Sequence, residues 1–286
     1  MSSVPLDQPE NPVDKIVSQV KDVAVLPQVV FKIMETTGNT ETSPAELERD
    51  IIVDPGFSAK VLAMANSAHF ALPKRVTSIR DAIAFLGLKQ VRQLAMHAGV
   101  FDLFVGKTDK ESLRRRAWWR HSLDTAVCAK WMAGQLRGLN PEEAYAAGLL
   151  HLIGKTIMDR SDPEMYSMVM MASEKAVPTL IAEKHFFGCN HVAVGAAICA
   201  KWNLPPELVE AVAYAEETDS EQADLRACIA IGHTIAELAT HGVQGDRPVQ
   251  DYFYKWAVDR LNIADTLPQW LDAGVQIVGQ AQGAAA

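Results

Sequence analysis

Residues 145–155 read Tyr145-Ala146-Ala147-Gly148-Leu149-Leu150-His151-Leu152-Ile153-Gly154-Lys155. The run is apolar except for one imidazole and one closing ammonium. At helical spacing His151 and Lys155 lie one turn apart on a shared face. No apolar–polar alternation marks it as a strand, so the run reads as a buried helix.

The same helical period extends to both sides. Val30, Ile33, Met34 and Thr37 share a helix face that Gly38 ends. Ser43-Pro44-Ala45-Glu46 supplies an N-cap serine, a first-turn proline and a capping-box glutamate before a helix with Leu47 and Ile51 facing inward. Asp54-Pro55 repeats the start signal, and Phe57, Val61, Met64, Ala65 and Ala68 form the stripe of its helix. After Thr77-Ser78, Asp81 can meet the free amides while Ile79, Ala82, Ile83 and Leu86 fall on one face; Gly87 breaks this helix and another runs to about Phe104. The polar segment Gly106 to Glu111 reads as a linker or turn between two helical halves.

Downstream, the pattern predicts helices near 112–136, 141–158, 163–173, 178–186, 190–202, 205–217 and 221–241, then a loop from Gly242 to Arg247 and a last pair near 248–262 and 266–280. The fold class is all-α, a multi-helical bundle. The divisions expected are a disordered tail over 1–12, a domain over 13–245 with an N-terminal bundle (about 13–105) and a core (about 112–241), and a C-terminal helical extension and tail over 246–286.

With 49% hydrophobic and 22% charged residues over 286 positions, the chain can bury the core of one large domain or two small ones. A net charge of −8, from 35 acidic against 27 basic residues, argues against a non-specific grip on nucleic acid or an anionic membrane. The run Arg114-Arg115-Arg116 reads as a solvated helix face. Cys128, Cys189, Cys199 and Cys228 show no Cys-x-x-Cys pairing and read as small core residues in a reducing compartment. The N-terminus has no signal-peptide pattern, and no stretch approaches the roughly 18 apolar residues of a membrane helix, so a cytoplasmic location is expected.

Residues from about 20 to 220 resemble the HDOD family, a domain related to the HD phosphohydrolases and found as a bacterial signal-output module. The motifs run in order: Leu26-Pro27; Asp54-Pro55-Gly56-Phe57 leading to Val61-Leu62 and Asn66-Ser67-Ala68; Ser78-Ile79 running into Phe85-Leu86-Gly87; Trp119-x-His121-Ser122; Gly148-Leu149-Leu150-His151; His191-x-x-x-Gly195; and Trp202-Asn203-Leu204-Pro205. The resemblance implies a family-specific N-terminal helical half packed on an HD-like helical core.

It also implies a pocket. In HD hydrolases the central run usually reads Leu-Leu-His-Asp-Ile-Gly-Lys, and the His-Asp pair shares a divalent metal that activates water against a phosphate ester. Here Leu152 stands where that aspartate belongs, and a leucine neither binds nor bridges metals. By the same resemblance His121 is the first histidine, His151 survives from the pair, and His233 replaces the closing aspartate. Histidines that relatives with two or three metals use map onto His185 or, better because of Gly195, His191; a further His-His-Glu pattern is replaced by Tyr214-Ala215-Glu216. His121, His151 and His233 could close on zinc or another transition metal, or be remnants of a decayed site.

The expectation is therefore a non-catalytic signalling module with no cofactor and a vestigial pocket of His121, His151, Leu152, Lys155, His191 and His233. It would work through a signalling protein partner or through a ligand, with a phosphate-bearing nucleotide held by Lys155 and the histidines as one hypothesis. The alternative is a divergent metal-dependent phosphohydrolase acting on a nucleotide or cyclic dinucleotide. Neither a membrane nor, given the acidic balance, a nucleic acid is the expected partner. Cys189 beside His191 reads as a packing residue. Trp118-Trp119 and the Tyr252-Phe253-Tyr254-x-Trp256 cluster read as core, with a partner surface as the alternative.

Overall fold

The structure, a computed structural model, describes residues 11–19, 30, 32–33, 43–53, 55–67, 70, 72–105, 109–216, 220–221, 223–242 and 249–285. The expectations resting on residues 1–10, Leu26-Pro27, Met34, Thr37, Gly38, Asp54, Ala68, 106–108 and 243–247 lie outside them. Among the described residues there is no strand.

Local sequence sets most helix starts. Helices α2 (Pro44–Ile52), α3 (Pro55–Ala65), α4 (Ile79–Leu86) and α5 (Leu88–Phe104) pack on one another. Ser43 and Glu46 form the complete capping box at the start of α2. The Ser78 hydroxyl accepts from the Asp81 amide at the start of α4, so serine caps this end and the Asp81 backbone, not its carboxylate, is the partner. Gly87, at φ 85°, makes the corner between α4 and α5. The Asn66 carboxamide donates to the Leu62 and Val76 carbonyls and accepts from the Val76 amide, tying the end of α3 to the segment before α4.

The second half is built round α6 (Asp109–Gln135), which lies between α7 (Pro141–Leu150) and α13 (Ala223–His241). Helices α8 (Ile153–Ser161), α9 (Pro163–Glu174), α10 (Thr179–Phe187), α11 (His191–Lys201) and α12 (Pro206–Val212) complete it. Helix α5 touches α6, α7 and α8 and so joins the two halves. Helix α1 (Pro12–Gln19) packs on α11 and α8 through Ile16 and Val17, not on the N-terminal bundle with which its sequence position groups it. Beyond a 3₁₀ turn at Val249–Tyr252, α14 (Lys255–Leu261) packs on α13, and α15 (Leu267–Ala285) on α13 and α6. This C-terminal extension thus covers the core of its own chain, with Phe253 and Ala257 buried and Trp270 edge-on to Trp131, ring centroids 5.5 Å apart. Trp118 and Trp119 are core residues as well.

Four expectations need correction. Helix α6 begins at Asp109, inside the supposed linker. The stretch 141–158 is two helices, broken at His151-Leu152, and the stretch 205–217 ends as a helix at Val212. After Val212, Arg226 donates to the carbonyls of Glu210 and Glu216, and Tyr214 sits in the turn between them. The arginine run is no solvated face: Arg114 and Arg115 both pair with Asp159, of which Arg115 is 2% and Asp159 0% exposed, leaving only Arg116 in water.

Candidate functional site

Three helices bring the histidines together. His121 comes from α6, His151 from the break between α7 and α8, and His233 from α13. His151 is fully buried; His121 and His233 are partly exposed. His121 Nε2 lies 2.8 Å and His151 Nε2 3.1 Å from His233 Nδ1, and the three nitrogens lie within 4.8 Å of one another. The Gly148 carbonyl oxygen, 2.7 Å from His151 Nδ1, can only accept, so Nδ1 of His151 carries the hydrogen and Nε2 faces the cluster. Close approach makes room for this: a Cβ on Gly148 would stand 2.5 Å from the Ala126 Cα on α6.

Burial holds all three rings neutral. It lowers His121 to about 3, and His151 and His233 well below the ordinary histidine value, with the neighbouring imidazoles and Lys155 adding to the effect. The side-chain amine of Lys155, in the first turn of α8, has no hydrogen bond or ion pair among the described residues, and burial lowers its pKa against the pull of Glu183 and Glu237. Glu237 is the one carboxylate paired with any of the three histidines among the described residues. Its Oε2 is 3.7 Å from Nε2 of His233, the nitrogen turned away from the cluster.

A second hydrogen-bonded chain adjoins the first. Asn190 caps α11 and places His191 at its first position. There His191 donates to Glu183 Oε2 from its backbone N at 2.9 Å and from Nδ1 at 2.6 Å, and Tyr166 donates to Glu183 Oε1 at 2.7 Å. Burial opposes the charge on Glu183, but His191, its two hydrogen bonds and Lys155 outweigh it and hold the carboxyl below its ordinary range. Burial likewise lowers His191 despite Glu183, so the contact is a hydrogen bond from a neutral ring to a carboxylate. His191 Nε2 is then free to accept from the Tyr214 hydroxyl, 3.2 Å away. The Tyr214 ring lies edge-on to His151 and beside His233, with centroids 5.2 and 4.9 Å apart, and touches Tyr254 of the C-terminal extension at 6.3 Å.

All six residues expected in the pocket occur in this region, with Leu152 2% exposed in the hydrocarbon core. His185 is not among them; it is exposed and stacks on Phe186. Glu183 and Tyr166 were missed. The available cue for Glu183 was an acid on an apolar stripe, since Leu180, Phe186 and Phe187 stand three or four residues away. The thiol of Cys189 is buried and pushed up to about 11, which suits packing and not nucleophilic chemistry. A separate cleft of about 410 Å³, lined by Leu238, Leu271 and Val275 among others, contains none of these residues.

The model of the HDOD domain matches residues 23–218. The chain belongs to the HDOD domain family. An HDOD domain protein of unknown function from Geobacter sulfurreducens is 23% identical with a TM-score of 0.66, over 93% of this chain and 99% of that one. A candidate signal transduction protein from Marinobacter aquaeolei VT8 is 20% identical with a TM-score of 0.74, over 98% of this chain and 66% of its own. An uncharacterized protein of Treponema pallidum (strain Nichols) is 24% identical over 202 residues, which is 70% of this chain and 38% of that protein, so the chain spans well under half the length of this curated relative. These structural likenesses establish the HD-like helical fold. The residues around the three histidines do not fit a carboxylate-bridged metal pair: the residue after His151 is buried Leu152, and Glu237 approaches only the outer nitrogen of His233.

Proposed function

We propose that this HDOD protein is a non-catalytic signal-transduction module that acts through a protein partner, or through a ligand held at the histidine pocket, without hydrolysing it. The observation that carries this reading is Leu152: a 2% exposed hydrocarbon occupies the place from which an HD hydrolase holds its metal and attacking water. The neutral histidines support it, since no carboxylate stands with their three inward nitrogens to hold a hard cation. Lys155 is the cation available to a phosphate-bearing ligand such as a nucleotide; calorimetric titration with a panel of nucleotides and cyclic dinucleotides tests that part, and the absence of heat removes it. The test of the non-catalytic reading is turnover. Full-length protein supplied with Mn²⁺, Fe²⁺ or Zn²⁺ is expected to leave nucleotides, cyclic dinucleotides and a chromogenic phosphodiester intact, and hydrolysis that His121→Gln abolishes overturns it.

The second reading, a divergent metal-dependent phosphohydrolase, is favoured by one observation: three imidazole nitrogens converge within 4.8 Å, and two of the three residues, His121 and His233, are partly exposed.

A further inference from the structure

We infer that His121, His151 and His233 form a mononuclear all-nitrogen site for a borderline divalent transition metal, zinc foremost, and that the site rejects Mg²⁺, Mn²⁺ and Ca²⁺. The inference concerns the pocket of the proposed function but stands apart from whether that pocket turns over a substrate.

The first ground is a count of hydrogens. His151 Nδ1 spends its hydrogen on the Gly148 carbonyl, so in the neutral ring Nε2 presents a lone pair to the cluster. His233 Nδ1 stands 3.1 Å from that lone pair and 2.8 Å from His121 Nε2. If His233 Nδ1 carries a hydrogen, that one hydrogen must serve two acceptors. If His121 Nε2 carries it instead, His233 Nδ1 and His151 Nε2 face each other lone pair to lone pair. If both carry one, two N–H groups face each other across 2.8 Å. Each neutral arrangement therefore leaves a contact unmatched, and a single cation at the centre takes a lone pair from all three rings. A metal about 2.0–2.1 Å from each imidazole nitrogen sets neighbouring nitrogens about 3.3 Å apart at tetrahedral angles, close to the two short separations already present.

The second ground is independent: the outward nitrogen of His151 has a partner of the kind that metal-bound histidines use, the Gly148 carbonyl at 2.7 Å, which fixes the nitrogen that points inward and raises its basicity. Glu237 Oε2 stands 3.7 Å from His233 Nε2, beyond a hydrogen bond but near enough to close on that nitrogen once His233 Nδ1 binds a metal. Because His121 and His233 are partly exposed, a fourth position is open to water or a small ligand. Three neutral nitrogens and no inward carboxylate suit zinc, cobalt, nickel or copper, and they suit poorly the hard cations that need oxygen donors.

The test uses the full chain, purified without a metal-binding tag and stripped with a chelator, then titrated with Zn²⁺ by calorimetry and with Co²⁺ by visible absorption. One Zn²⁺ and one Co²⁺ per folded chain are expected, with a four- or five-coordinate cobalt spectrum, a melting temperature raised by Zn²⁺, and no response to Mg²⁺ or Mn²⁺. His121→Gln, at a partly exposed position, should weaken binding at least about 100-fold while keeping the helical circular dichroism. Glu237→Gln, at a positioning residue, should weaken it about 10-fold. No stoichiometric uptake by the folded wild type overturns the inference, as does uptake that His121→Gln leaves unchanged or Mn²⁺ uptake as tight as Zn²⁺ uptake. Metal uptake without turnover leaves the non-catalytic reading standing, whereas turnover with one bound zinc removes that reading and keeps the site.

Discussion

Gly154 and His191 meet backbone to backbone: a Cβ on Gly154 would stand 1.8 Å from the His191 carbonyl oxygen and 2.7 Å from the Gly195 amide nitrogen. Helices α8 and α11 therefore touch through their main chains, and this contact fixes where His191 enters the Glu183 network. Gly154, three residues after His151, is needed for this approach; a Cβ on Gly195, four residues after His191, would press instead on a Val212 methyl at 3.0 Å.

Gly154→Ala should force the two helices apart and cost about 1–3 kcal/mol or more, the range for overpacking a close-packed interior. Urea unfolding measures it. An unchanged midpoint would mean that the helices separate freely and that the contact does not position His191.

Asp159 is 0% exposed and is shared by Arg114 and Arg115. Asp159→Ala takes the paired carboxylate away from Arg115, a buried cation, and the loss expected is about 3–5 kcal/mol. Arg116→Ala, at the exposed neighbour, should stay within about 0.5 kcal/mol of wild type. Equal effects of the two substitutions in thermal melts would contradict the pairing.

His97 stacks edge-on against Trp119, centroids 4.7 Å apart, and burial lowers it from 6.5 to about 4. As pH falls below 6.5, the unfolded chain takes up a proton that the fold refuses, so stability is full above that pH and declines below it. Each such histidine contributes up to about 1.4 kcal/mol per pH unit between its unfolded and folded values. His97→Phe should flatten the stability–pH slope between 6.5 and 4 by that amount, measured by urea midpoints at several pH values. An unaltered slope would show that His97 protonates freely in the fold.

Glu183 behaves in the opposite sense. Its folded pKa is depressed below 4.5, so the stability it confers is present above that pH and disappears as pH falls through the folded value. Glu183→Gln removes charge-assisted bonds from His191 and Tyr166 and should cost about 2–3 kcal/mol at pH 7. Nitrogen NMR of His191 provides a readout that simple destabilisation leaves alone. The wild type should show the Nδ1–H tautomer, and the glutamine variant a mixture; the same tautomer in both would mean that Glu183 does not orient the ring.

Where structure is decided within one turn of chain, the sequence was readable. Ser43, Ser78 and Asn140 each announce a helix because the capping oxygen and the amide it meets are two or three residues apart. The break at His151-Leu152 has no such signal, since neither position is a proline or a glycine; the contact of Gly154 with His191, some 40 residues later, accompanies it. The pairing of Arg115 with Asp159 is equally remote, and a run of three arginines carries no mark that one is buried and two share a buried carboxylate. In the site, His121, His151 and His233 were legible through family resemblance, whereas Glu183 was not, because only the folded chain shows that an acid on an apolar stripe has three donors waiting for it.

The family match ends at residue 218, and the chain's own architecture does not. Helix α13, which supplies His233 and seals α6, begins at Ala223, and the segment that brings Tyr254 against Tyr214 comes later still. A gene fragment cut at the family boundary would encode a protein with an open flank, exposing to water the hydrocarbon of α6 that α13 and α15 cover. Cellular proteases and chaperones act on such surfaces, so the fragment should accumulate poorly where the 286-residue chain does not.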